Sequence, residues 1–162
     1  MAAGPTYEPI TTQTLTSTAV TVTFSSISGS YTDLRLVFTG VGDSGSSAFY
    51  YRFNGDSASN YSSDEYKGNG TTASSASYTS VAYLYALGHG FAANQSTITT
   101  DFMNYSNTTT NKTALTRWGD PQRVAASVGM WRSTSAITSI VVYSLGLFTV
   151  GSTFTLYGIA AA

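Results

Sequence analysis

Alternation of apolar and polar residues with a period of two recurs along almost the whole chain, and it limits the fold more than any other feature. Val20, Val22 and Phe24 point one way while Thr21 and Thr23 point the other. Leu34, Leu36 and Phe38 make a second such face, with Arg35, Val37 and Thr39 opposite. Successive side chains of a strand leave opposite sides of the backbone, so this pattern describes strands with one buried face. Further strands are predicted over 78–87, 97–103, 114–118, 124–131, 137–144 and 153–157. Ala48 to Phe53 has aromatic residues on both faces, which predicts cover on both sides. Ile140-Val-Val-Tyr143 is apolar on both faces too, so it lies either beneath a second layer or against another copy of the chain.

Between these segments lie Ser28-Gly-Ser30, Gly40 to Ser47, Asn54-Gly-Asp56, Lys67 to Gly70, Asn104 to Asn111 and Gly119-Asp-Pro121. Gly, Asn and Asp supply the positive φ angles and side-chain caps that tight turns need. No capped stretch has useful helical periodicity. Many short strands punctuated by turns predict an all-β, antiparallel sandwich, jelly-roll-like, in one domain. Two segments depart from the pattern. Residues 54–80 are polar and turn-rich and are expected as a surface excursion, where a ligand or neighbouring subunit would meet the protein. Residues 1–12, with Pro5 and Pro9, are expected as a possible extended N-terminal arm, leaving 13–162 as the sandwich.

Composition narrows the function. Only 9% of the 162 residues are charged, there is one His and no Cys, and the formal net charge is −1. Arg35, Arg52, Arg117, Arg123 and Arg132 are scattered singly, so there is no basic patch to hold nucleic acid phosphates. Lack of Cys excludes disulfides and thiolate zinc sites. No apolar run reaches the length of a bilayer crossing. The start lacks a basic and an apolar region of the secretory kind, so the chain is expected complete as it stands and made without export. The Asn-x-Ser/Thr triplets at Asn60, Asn69, Asn94, Asn104, Asn107 and Asn111 are what so Ser- and Thr-rich a chain produces by chance.

Four groups invite chemistry. His89, between Gly88 and Gly90, offers an imidazole that can act as a ligand or a base near neutral pH, but no second His, Cys or fixed-spacing acid accompanies it to form a triad or ligand set. Asp43, and Asp56 to Glu65 with Asn60, offer oxygen donors for Ca²⁺, but the EF-hand Gly and Glu positions are unfilled and Asx-turns explain the same residues. The twelve Tyr, with Trp118 and Trp131, invite stacking on sugars, although aromatics are equally what strands and sandwich cores use. Gly40-Val-Gly42-Asp-Ser-Gly45 lacks the Lys-Ser/Thr ending and following helix of a phosphate loop. No carboxylate pair and no nucleophile with its base stands out, so the reading is of a protein that is not an enzyme, without metal or cofactor.

Ile27-Ser-Gly-Ser-Tyr31-Thr-Asp-Leu34-Arg-Leu36, Tyr51-Arg-Phe-Asn54-Gly-Asp56 with Asn60-Tyr61-Ser62, and Trp131-Arg-Ser-Thr-Ser-Ala136-Ile137-Thr-Ser-Ile140 followed by Gly151-Ser-Thr-Phe154-Thr-Leu-Tyr157-Gly158-Ile159 form a set. Together they resemble small virion structural proteins of tailed bacteriophages, of a kind found among phages of cyanobacteria and other aquatic hosts. The resemblance spans most of the chain and its motifs are architectural, so it implies no active-site residues. It implies a jelly-roll or related β-sandwich that oligomerises, often as a trimer, in the virion. The function expected from it is capsid decoration: a cement protein on the outer head surface whose partner is the major capsid protein. The alternative is a tail-fibre or receptor-binding module that grips host glycans, with 54–80 and nearby Tyr residues as the contact surface.

Overall fold

The computed structural model describes residues 6–43, 48–87 and 95–160. Within them the chain forms β1 (Tyr7–Thr14), β2 (Ala19–Phe24), β3 (Asp33–Gly40), β4 (Phe49–Phe53), β5 (Tyr61–Gly68) and β6 (Ala73–Val81). The second half adds β7 (Leu84–Leu87), β8 (Ser96–Met103), β9 (Lys112–Gly119), β10 (Val124–Trp131), β11 (Ile140–Phe148) and β12 (Thr153–Ile159). One sheet has eight strands in the order β1-β12-β3-β8-β9-β10-β5-β6, the other four in the order β2-β11-β4-β7. Neighbouring strands run antiparallel throughout. The chain crosses between the sheets at β1–β2–β3–β4–β5, β6–β7–β8 and β10–β11–β12, so the product is an antiparallel β-sandwich.

The alternation explains which faces meet. Leu34, Leu36 and Phe38 of β3 are buried beside Phe154 and Leu156 of β12 and Ile98 and Phe102 of β8. Val22, Phe24, Phe49, Tyr51, Phe53, Ile140 and Val142 fill the facing side of the small sheet. Aromatic rings span the gap between sheets: Phe38 lies 5.3 Å from Phe49 and 5.6 Å from Phe148, at tilted angles favoured by ring quadrupoles. A buried hydroxyl chain also joins the sheets. Tyr51 Oη is 2.6 Å from Thr100 Oγ1, which is 2.9 Å from Thr116 Oγ1. Ser127 Oγ donates to the Ala86 carbonyl at 2.9 Å, and the Tyr85 amide donates to Ser63 Oγ at 3.1 Å.

The turns match their chemistry. Asn54 (φ 51°) and Gly55 (φ 70°) both take left-handed conformations in the turn after β4. Asn54 Oδ1 then accepts from the amides of Thr138 and Ser139, and its Nδ2 donates to the Ala136 carbonyl. One side chain therefore fixes the loop that leads into β11. Gly151 (φ 84°) sits in the turn that launches β12.

Several expectations need correction. The excursion expected over 54–80 is a short turn followed by β5 and β6, and Tyr61, Ser63 and Glu65 point into the sandwich. The single strand expected over 78–87 is broken at Ala82 and Tyr83, where the chain leaves the large sheet to start β7. Val20 is exposed although Val22 and Phe24 are buried; it falls where the β2–β11 register shifts between the Thr21–Tyr143 and Ala19–Phe148 pairs. The arm expected over 1–12 is, from Tyr7 on, strand β1: exposed and extended, but hydrogen-bonded along β12. Tyr7 is tied further in, since Arg35 donates to Tyr7 Oη at 2.9 Å while gripping the Asp101 carboxylate with Nε and its other guanidinium nitrogen.

Candidate functional site

Both outer faces of the sandwich carry features that packing alone does not demand. On the large sheet, β9 and β10 pair so that Leu115 faces Val128 and Thr113 faces Met130, with Met103 of β8 next to Thr113. All these side chains alternate with buried neighbours and therefore point outward. Val128 is 50% exposed, Val124 65% and Tyr66 63%, and Leu115, Met103 and Met130 are likewise open. Tyr66 extends the patch across β5, opposite Ala126. Isolated exposed apolar residues are ordinary, but six gathered on one flat face form a surface suited to contact with another protein. Asp64, opposite Val128, and Arg117, opposite Ala126, set two charged groups among the apolar ones.

On the small sheet, register brings tyrosines together. Tyr143 of β11 faces Tyr50 of β4, which faces Tyr85 of β7. Tyr83 joins from the β6–β7 crossing, its ring 5.6 Å from Tyr50 and 5.4 Å from Tyr143. Tyr78 of β6 stacks flat on Tyr85 at 4.0 Å. Arg52, next to Val141 across the β4–β11 pair, sends its guanidinium between two rings, 4.3 Å from Tyr83 and 5.2 Å from Tyr143. It donates to Tyr143 Oη at 3.4 Å, and its Nε is buried without a hydrogen-bond partner. None of the ion pairs among the described residues involves Arg52. A cleft of about 150 Å³ opens between Tyr50, Tyr83, Tyr85, Tyr143, Ser144 and Leu145. Burial and the neighbouring phenols of Tyr85, Tyr78 and Tyr83 hold the Tyr50 hydroxyl well above the usual phenol range, so it stays protonated and a donor.

This cluster also answers the question posed by 48–53 and 140–143. Among the described residues no further strand covers the outer face of β4 and β11; the tyrosines and Arg52 cover it instead, leaving Val141 and Tyr143 half-buried.

The residues singled out from sequence fall elsewhere. Trp118 and Trp131 are buried in the core and cannot stack on a sugar. Trp131 Nε1 donates to Asp56 Oδ2 at 2.7 Å, and its ring stacks on Tyr61. Asp56 also accepts from Asn60 Nδ2 and the Ala58 amide, both at 2.9 Å. Partial burial alone would raise its carboxyl, but these hydrogen bonds outweigh it and the group lies below the usual carboxylate range. Asp56 is thus the hub of a turn. Asp43 accepts from the Leu147 amide at 2.7 Å near the other end of the small sheet, and Glu65 is buried in β5. The three acids are not brought together, and among the described residues no three His, Cys, Asp or Glu side chains are grouped to hold a metal ion. His89 lies outside the described residues. Of the tyrosines expected in 54–80, Tyr61 is core, Tyr66 lies on the large-sheet patch, and Tyr78 alone reaches the tyrosine cleft.

No protein-family model and no curated protein sequence matches the chain. Among solved structures, it is similar to the alginate lyase Aly36B in complex with alginate tetrasaccharide, at 7% identity over 82% of this chain and 72% of that one, TM-score 0.32. A marine alginate lyase from Aplysia kurodai gives 7% identity over 82% and 70%, TM-score 0.33. A protein of unknown function from Shewanella oneidensis gives 6% identity over 96% and 77%, TM-score 0.30. Likeness at this level does not bear on activity, and it neither supports nor opposes a catalytic role for this chain.

Proposed function

We propose that this chain is a virion structural protein of a tailed phage, a capsid decoration protein that docks on the outer head surface through the open face of its large sheet. The observation that carries this reading is the flat patch of Leu115, Val128, Met130, Met103, Val124 and Tyr66. A patch of that kind releases water when covered, at roughly 25 cal/mol for each Å² of apolar surface. Its low charge suits a polar, neutral partner surface, and repetition over many equivalent sites on a shell adds avidity. The resemblance to phage structural proteins supplies the partner, the major capsid protein, and the expected trimer. In this reading the chain bridges neighbouring capsid subunits and opposes the outward pressure of packaged DNA.

Copy number in purified particles tests it. A stoichiometry comparable to that of the capsid subunit supports decoration. A few copies per particle point to a tail or vertex component, and absence from the particle ends the proposal. Val128→Glu is the matched variant: it should fold normally and fail to remain on the head.

A further inference from the structure

We propose that the tyrosine cleft on the outer face of the small sheet binds a single pyranose ring of a glycan. The cleft lies on the side of the sandwich opposite the large-sheet patch, so a chain docked by that patch presents it outward. The two proposals stand on different residues, and either can fail without the other.

Four observations define the ligand. The first is size: about 150 Å³ is roughly the liquid volume of five waters, enough for one six-membered ring with its substituents and too little for a chain of rings. The second is wall geometry. Tyr50 and Tyr85 meet edge-on at 79°, and Tyr83 and Tyr143 at 75°. Such a corner sets ring edges at right angles around the cleft, with Leu145 as its open apolar side. A pyranose has an apolar C–H face and a girdle of equatorial hydroxyls, which fits a corner of this kind, whereas a flat nucleobase is best held between parallel faces.

The third observation is hydrogen bonding. Tyr143 Oη accepts from Arg52, so its own proton is free to be donated away from Arg52. Protonated phenols beside a ring face are suited to sugar hydroxyls, which both donate and accept. The fourth is charge. Aromatic clusters also serve ammonium groups, but here a guanidinium already lies over Tyr83 and Tyr143. It uses those ring faces and repels a second cation, which leaves a neutral or acidic ring as the ligand. Leu145, largely exposed at the rim, adds an apolar surface beside the ring.

Saturation-transfer NMR with the full chain tests the proposal. The probes are methyl glucopyranoside, galactopyranoside and mannopyranoside and the acidic methyl glucopyranosiduronate, with uridine and cyclohexanol as flat and purely apolar controls. Transfer to at least one pyranoside is expected at about 10 mM, well above the millimolar affinity expected of one ring. Tyr143→Phe keeps the ring and removes the donor, and should weaken binding about fivefold to tenfold, the equivalent of one hydrogen bond. Tyr83→Ala should abolish it, while an unchanged melting temperature in either variant shows that the fold is intact. No transfer to any pyranoside overturns the proposal. Binding that both folded variants retain in full overturns the site, and equal binding of uridine or cyclohexanol overturns the assignment to sugars.

Discussion

Tyr51, Thr100 and Thr116 form a buried chain of three hydroxyls linking the two sheets, and its asymmetry can be measured. Tyr51→Phe removes the end of the chain and leaves Thr100 bonded to Thr116. It should cost about 1 kcal/mol, the net value of one neutral hydrogen bond. Thr100→Val removes the middle and leaves two buried hydroxyls, those of Tyr51 and Thr116, without their partner. Each orphaned group costs about 1–3 kcal/mol, so with partial relaxation the expected loss is about 2–4 kcal/mol. In the double variant the Tyr51 hydroxyl is gone, and Thr116 is the one group left stranded. Its loss should therefore fall below that of Thr100→Val alone, to about 1–3 kcal/mol, and short of the sum by about 2 kcal/mol. Urea unfolding followed by fluorescence of the two tryptophans gives the three midpoints, compared at constant m-value. Additivity within about 0.5 kcal/mol, or a larger loss for Tyr51→Phe than for Thr100→Val, would refute the reasoning.

Other predictions concern single positions. Gly129→Ala should destabilise by about 1–3 kcal/mol, because a Cβ there falls 2.6 Å from the Leu84 side chain; Leu84→Ala in the same chain should recover part of the loss in urea midpoint. Asp56→Asn should cost about 1 kcal/mol at neutral pH. The Asp56 carboxyl titrates lower in the folded chain than unfolded, so its contribution is complete above about pH 4 and fades as pH falls through the folded value. The gap between wild-type and Asp56→Asn melting temperatures should accordingly narrow toward pH 2, and a constant gap would exclude that carboxylate as the source. Gly158→Ala should also destabilise, since its Cβ would enter the Tyr31 ring, and thermal melts would show the loss.

The core strands were legible because Leu34, Leu36 and Phe38, like Val22 and Phe24, alternate with polar neighbours. Strand β5 and the first half of β6 were not, for a specific reason. Their inward positions include Ser63 and Glu65, which are buried through contacts with other chain segments, so the apolar signal that marks a strand is missing. The large-sheet patch hid behind the same rule in reverse. Leu115, Val128 and Met130 are apolar residues on the face that alternation assigns to solvent. The tyrosine cleft was out of reach because it draws on residues 50, 78, 83, 85 and 143, and their meeting depends on β4 pairing with both β7 and β11. Its one trace was the doubly apolar character of 48–53 and 140–143, which announced a covered outer face without saying what covered it.

The pairing of β1 with β12 has a mechanical meaning. Tyr7 lies directly across from Ile159, so the two ends of the described chain leave the sandwich at the same rung of the same sheet edge. Tension that draws these ends apart loads that rung first and peels the strands open one hydrogen-bonded step at a time, instead of shearing all of them together. A protein held by both ends would yield there at low force while the core stayed closed. The Arg35 clasp, which reaches Tyr7 on one side and Asp101 on the other, sits at the point where such peeling would begin.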